Sequence, residues 1–436
     1  MNVIFLVMIL AAFLTAAWRQ VRHVPEEGEP SPMEALSSGM IESATGAVEL
    51  AIGLVGVMAL FLGLMKVAEA GGLLTVLARL IRPLMVRLFP SVPGDHPAMG
   101  AMILNFSANA LGLGNAATPF GIRAMQELDK LNPHKGTATN AMALFLAINT
   151  SSITLLPTGV IALRAAAGSV EPAAILPTTL FATLCATSAA IMAAYAYQRF
   201  FPVVPEPVRV GAAPDEAVAE NESSEAEPLP EDAGKAYPLW VSLLALGGIV
   251  ALIPLTIMYG TTVAPWIIPG LMVAFLLFGV ARRVRIYEQF VEGAKDGFQV
   301  ALRIIPYLVA ILVAVGMLRS SGALEAMVNF LGAFTMRLGM PAEALPMALL
   351  RPLSGSGAYG VMASIINDPA IGPDSYTGLL VTTLQGSTET TFYVLAVYFG
   401  AIQVRRVRHT LLAALTADLV GIAAAVWICL RLFGGS

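Results

Sequence analysis

Gln385, Ser387, Thr388, Glu389, Thr390 and Thr391 crowd the start of LQGSTETTFYVLAVYFG, a stretch that is otherwise apolar. A carboxylate among hydroxyls and an amide is equipped to hold a polar solute or a cation by charge and hydrogen bonds. At membrane depth such an acid is rare and by default marks function. Asn149, Thr150, Ser151 and Ser152 interrupt a second apolar run. Two further interruptions are Asn105, Asn109, Asn115 and Thr118 within NFSANALGLGNAATPFG, and Ser354 and Ser356 within RPLSGSGAYG. In hydrocarbon an unpaired backbone group costs several kcal/mol, so a broken helix survives only against protein or a water-filled cavity. Matching breaks in two halves of a chain point to a transporter's central site, where half-helix ends offer partial charges.

Other assignments compete at single positions. Any one Ser, Thr, Asn or Gly in a membrane helix can serve close helix packing. Glu389 can be a structural acid bonded to the neighbouring hydroxyls. Asp418, in LTADLVG, reads as a group that bonds across the bundle. Arg319, Arg351, Arg405, Arg406 and Arg408 read as interfacial anchors or topology signals. Arg79, Arg82 and Arg87 in LARLIRPLMVRLFP fit a helix lying at the membrane surface.

Several chemistries lack their residues. Cys185 and Cys429 both lie in apolar runs, and His23, His96, His134 and His409 are scattered, so neither a disulfide framework nor a metal site is expected. GLGNAATPFG has close glycines, but no strand precedes it and no Lys-Ser/Thr follows, which argues against a phosphate loop. No G-x-S-x-G elbow supports an intramembrane enzyme. The expectation is no catalytic residue, no enzyme and no cofactor, with a coupling cation such as sodium or a proton allowed at the acid.

The elements that must position these groups follow from composition. Of 436 residues, 57% are hydrophobic and 12% charged, against about 25% charged in a soluble domain. This is the make-up of an integral membrane protein, and no basic face suits nucleic acid. A spanning helix needs about 20 apolar residues. Met1 to Trp18 is a first candidate, with Arg19 and Arg22 behind it, which favours an anchor with its N-terminus outside. Pro238 to Ala281 carries no charge and is long enough for two helices, with a turn expected near YGTTVAPW. Phe201 to Ala236 is rich in Pro, Glu, Ala and Ser and reads as a disordered linker on the cytoplasmic side.

The halves flanking this linker look duplicated. ESATGAVELAI begins at Glu42 and EGAKDGFQVAL at Glu292, a spacing of 292 − 42 = 250. Farther on, GLGNAATPFG meets GSGAYGVMAS, and Ser151 meets Ser387 at 387 − 151 = 236. The domains read as a first membrane half over 1–200 (repeat about 42–200), a linker over 201–236, and a second half over 237–436 (repeat about 292–432).

Three strings in the first half, ELAIGLVGVMALFLGLMKVAEAGGL, NFSANALGLGNAATPFGIRAMQELDKLNP and ATNAMALFLAINTSSITLLPTGVIALR, resemble the spore maturation protein A family. RPLSGSGAYGVMASII and GLLVTTLQGSTETTFYVLAVYFGA resemble the spore maturation protein B family, so the chain looks like a fusion of the two. Both families are grouped under the nucleoside recognition, or Gate, domain, shared in part with concentrative nucleoside transporters. QGSTETT is similar to the Gln-Thr-Glu signature of those carriers and INTSSITL to their Asn-x-Ser-Ser-Ile stretch. The resemblance implies that Glu389 and Gln385 bind polar ligand groups and that Asn149, Ser151 and Ser152 complete the pocket. It also implies inverted repeats. The acid stands in the second repeat here, however, and Ile153 occupies the matching place in the first.

The expected fold is an all-α polytopic membrane protein with two Gate-like repeats containing re-entrant or broken helices. The substrate-binding set is Asn105, Asn109, Asn115, Thr118, Asn149, Thr150, Ser151, Ser152, Ser354, Ser356, Gln385, Ser387, Thr388, Glu389 and Thr390. The expected partners are the lipid bilayer of a bacterial cytoplasmic membrane, a small polar solute and a further copy of the chain, with no nucleic acid. The expected function is a carrier or channel for a nucleoside-like solute or envelope precursor; the alternative is a non-transporting scaffold or regulator of envelope or spore maturation.

Overall fold

A computed structural model describes residues 2–23, 30–202, 237–326, 330 and 335–434. The linker expected over Phe201 to Ala236 falls outside the described residues from 203 onward. The described part is helical, and its one β-bridge joins Thr137 to Arg406.

The first half comprises α1 (Asn2–Val21), α2 (Pro32–Ala70), α3 (Leu73–Leu88), α4 (Pro97–Ala110), α5 (Gly114–Lys130), α6 (Asn140–Thr150), α7 (Thr158–Ala166) and α8 (Leu176–Tyr197). The second comprises α9 (Leu239–Ala281), α10 (Ile286–Ser320), α11 (Leu345–Leu350), α12 (Gly355–Ile366), α13 (Tyr376–Ser387), α14 (Thr391–Gly400) and α15 (Thr410–Phe433). Among the described residues, α2, α8 with the turn before it, and α15 are long and apolar enough to cross a membrane.

The order α4–α5, α6–break–α7, α8 recurs as α11–α12, α13–break–α14, α15. The start signals recur too. Thr139 caps α6 by accepting from the Met142 N–H, and Ser375 caps α13 by accepting from Gly378. Their spacing, 375 − 139 = 236, is that of Ser151 and Ser387.

Equivalent helices pack against each other antiparallel. Gly39 of α2 lies against Ser320 of α10, while Gly63 of α2 lies against Phe290. In the last pair, Phe181 of α8 stacks on Trp427 of α15 at 5.3 Å, and the Tyr197 hydroxyl pairs with Thr416 at 3.1 Å. Both pairs therefore run in opposite directions, as in inverted repeats. Close approach of α2 and α10 needs glycine: a Cβ on Gly297 would stand 2.7 Å from the Ala59 backbone.

Two expectations are corrected. Pro238 to Ala281 holds one continuous helix, α9, with no turn near YGTTVAPW. Once nucleated, a helix gains one bond per residue, and this run carries no charge to favour a solvated turn. Arg351 is no interfacial anchor: its residue is only 5% exposed. The basic amphipathic segment does form a separate helix, α3, in which Arg82 donates to the Gly94 carbonyl.

Candidate functional site

Each broken helix ends where its own backbone runs out of partners, and neighbouring groups supply them. α6 stops at Thr150 and resumes as α7 at Thr158; α13 stops at Ser387 and resumes as α14 at Thr391. The Leu155 N–H donates to the Ala110 carbonyl at 2.9 Å, and the Phe392 N–H to the Pro352 carbonyl at 3.1 Å. Each break is thus tied to the hairpin before it. The two breaks also meet, for the Glu389 N–H donates to the Thr150 carbonyl at 2.8 Å.

Arg351 organises the second break. Its Nε donates to the Gln385 carbonyl at 3.0 Å and its Nη1 to Thr390 Oγ1 at 3.2 Å. Its Nη2 donates to the Thr388 carbonyl and lies 3.6 Å from a Glu389 carboxylate oxygen. A guanidinium suits this place because its planar fork serves several acceptors at once. Behind the break, Asp418 of α15 accepts from Thr391 Oγ1 at 2.7 Å, bonding across the bundle as the sequence led one to expect.

Two cavities flank these breaks. The first, about 410 Å³, is lined by Asn109, Thr154, Thr158, Arg351, Tyr359, Gln385 and Gly386 among others. The second, about 500 Å³, is lined by Thr118, Asn149, Leu353, Ser354, Tyr393 and Tyr398 among others. Asn109, Gly355, Ser356, Glu389 and Thr390 line both, so the two cavities share a wall. The Glu389 side chain is 49% exposed, open to solvation where Arg351 is not.

The remaining residues of the expected set divide by where their polar atoms are committed. Asn109 donates to Asn149 at 3.0 Å, joining α4 to the first break, and Asn149 donates to the Phe145 carbonyl at 2.9 Å. Ser354 caps α12 by accepting from the Gly357 N–H at 3.0 Å. Gln385 lines the first cavity, and its Oε1 is buried without a hydrogen-bond partner.

Thr150, Ser151, Ser152 and Ser387 do not line either cavity. Their hydroxyls donate at 2.8–2.9 Å to carbonyls three or four residues earlier, closing the ends of α6 and α13. Thr388 offers its carbonyl to Arg351 and is buried. Asn105 lies behind the wall, donating to the Ala117 carbonyl at 2.7 Å and to the Tyr398 hydroxyl at 3.1 Å. The side chain of Asn115 falls outside the described residues.

Arg351, Tyr359, Tyr393 and Tyr398 are site residues that sequence reasoning passed over. Arg351 carried a usable signal, since it opens one of the four polar breaks. The tyrosines looked like ordinary apolar filling.

Two arginines tie the chain near the ends of α7 and α14 to the other half. Fully buried Arg164, at the end of α7, reaches Asp374 before α13 at 2.8 Å. Arg408, after α14, reaches the Ala138 carbonyl and Asn140 Oδ1 at the start of α6, each at 2.9 Å. The arginines are spaced 408 − 164 = 244, as are Cys185 and Cys429 (429 − 185 = 244).

Fold and site together define a polytopic α-helical membrane protein built from two inverted copies, with broken helices meeting at polar cavities. The chain belongs to the nucleoside recognition (Gate) family, whose model matches residues 51–167 and 301–405. It is similar to Spore maturation protein B of Bacillus subtilis (strain 168), 45% identical over 169 residues, which is 39% of this chain and 94% of the relative. It is similar to Spore maturation protein A of the same organism, 45% identical over 160 residues, 37% of this chain and 82% of the relative. The chain thus joins counterparts of two separate proteins. No solved structure matches it.

Proposed function

We propose that this protein is a carrier or channel for a small polar solute, nucleoside-like or a nucleoside-containing envelope precursor, held at Glu389 and Gln385. The observation that carries this reading is the meeting of both broken helices at cavities that share Glu389. Their volumes, about 410 and 500 Å³, lie within the range of about 300–1,000 Å³ common for small-ligand sites. The half-exposed Glu389 carboxylate offers acceptors to both cavities, and Gln385 lines the first. Ribose hydroxyls and base N–H groups are donors that would complement them. Tyr359, Tyr393 and Tyr398 supply flat walls for a base. The family description, nucleoside recognition, points the same way. On this reading the protein performs no reaction on its solute. It sits in a bacterial cytoplasmic membrane with the N-terminus outside and the linker inside.

Proteoliposomes containing wild type or Glu389→Gln, assayed with a panel of radiolabelled nucleosides, test the proposal. The variant is expected to slow flux of the accepted solute at least about 10-fold, or 1.4 kcal/mol, with an unchanged thermal midpoint. Equal behaviour of both proteins across the panel overturns it. A phenotype that needs residues 201–236 but not Glu389 would instead assign the chain to a non-transporting scaffold.

A further inference from the structure

Asp418 stands on α15 with 2% of its surface exposed. One carboxylate oxygen accepts from Thr391 Oγ1; the other, Oδ1, is buried with no hydrogen-bond partner. A buried carboxylate costs several kcal/mol unless it is paired and fully hydrogen-bonded, so this acid lacks what its ionised form requires. Arg351 stands at the same break, donating to Thr390 Oγ1 beside Thr391. That guanidinium is already committed to the Gln385 and Thr388 carbonyls, Thr390 and Glu389.

Two helix ends lie nearby and act in opposite senses: Thr391, which donates to Asp418, is the first residue of α14, whose positive end favours an anion. One turn along α15, Gly421 faces Thr388 and the Ser387 carbonyl, at the C-terminal end of α13. A helix C-terminus carries partial negative charge and disfavours a nearby anion. The helices packed on α15 are α6, α8, α13 and α14. Their titratable groups are Cys185, Tyr195 and Tyr197 on α8, Tyr376 on α13, and Tyr393 and Tyr398 on α14, with none on α6. α15 itself carries Cys429 and Arg431, and Arg408 and His409 precede it. Among the described residues, Arg351 and Glu389 are the charged groups at the break.

We propose that Asp418 is a proton-binding site, linked to the solute cavities through Thr391 and its neighbour Thr390, which lines both. A proton on Oδ1 removes the buried charge and turns an unpartnered acceptor into a donor. Arg351 and Glu389 then form a balanced pair. When the Oδ1–H bond breaks and the proton leaves to cavity water, the three groups carry a net charge of −1. Arg351 then faces two anions at one break, and Glu389 is held less firmly. What this would do for solute binding rests on the carrier reading; the proton site does not.

Infrared pH titration of the full chain in lipid nanodiscs tests the assignment with no solute present, so a missing band and a negative flux panel are separate results. A protonated-carboxyl C=O band is expected at neutral pH and should vanish in Asp418→Asn. Thr391→Val, which removes one hydrogen bond to the carboxylate, should move its titration toward alkaline pH. Glu389→Gln should keep the band and move it toward acid pH, because Arg351 is released to stabilise ionised Asp418. A band that survives Asp418→Asn overturns the proposal. So does one that Glu389→Gln abolishes or leaves unmoved. A band that appears in choline but not in sodium buffer assigns the site to a metal cation and also overturns it.

Discussion

Arg351 and Glu389 face each other across 3.6 Å yet carry different burdens. Arg351 is buried and serves backbone carbonyls that would otherwise stand open in the break; Glu389 is half exposed to the cavities. Removing the first should cost structure and removing the second should cost function. Arg351→Met is expected to destabilise the protein by about 3 kcal/mol or more, since it strands the buried Gln385 and Thr388 carbonyls at about 1–3 kcal/mol each. Arg351→Lys should rescue little, because the three donors of an ammonium radiate from one nitrogen and do not span acceptors spread around a planar fork. Thermal melts of the detergent-purified variants, set beside Glu389→Gln, check both. The polar cluster was legible in the sequence because hydroxyls and an acid stand out against apolar neighbours. Side-chain direction was not legible. Thr150, Ser151 and Ser152 look like ligands by type, but their hydroxyls close their own helix end. Arg351 resembled a topology signal because a linear string does not separate the edge of a run from its buried bend.

The elements obey the same logic of partner supply. Capping residues mark the starts of α6 and α13, and the breaks fall where small polar residues replace apolar ones. What fixes the approach of α2 to α10 is the absence of side chains. Gly297→Ala should disturb this contact by about 1–3 kcal/mol, since its Cβ would meet the Ala59 backbone. Gly56→Ala, with nothing within 4 Å of the added carbon, should be close to neutral or slightly stabilising. Unfolding of both variants in mixed micelles measures the difference. Sequence reading recognised the internal repeat but cut α9 in two, because Gly and Pro in an uncharged run suggest a turn that tertiary context need not form.

At the scale of the whole molecule, inversion entered the sequence reading only through the family resemblance, since repeat spacing is the same for parallel and inverted copies. Antiparallel packing of α2 on α10 and of α8 on α15 gives the direction. Gly39→Cys combined with Ser320→Cys should cross-link efficiently under oxidation, whereas Gly39→Cys with Glu292→Cys should not. Non-reducing electrophoresis of the two variants, each cut once by a protease site engineered into the linker, reads the result. Covalent fusion has its own consequence for the centre, where Glu389 answers to Ile153 in the other copy. A self-paired first half would carry two isoleucines and no acid, and a self-paired second half two mutually repelling acids. Joining unlike halves in one polypeptide fixes the stoichiometry at one Glu389 for every two breaks, whatever the expression level or assembly order.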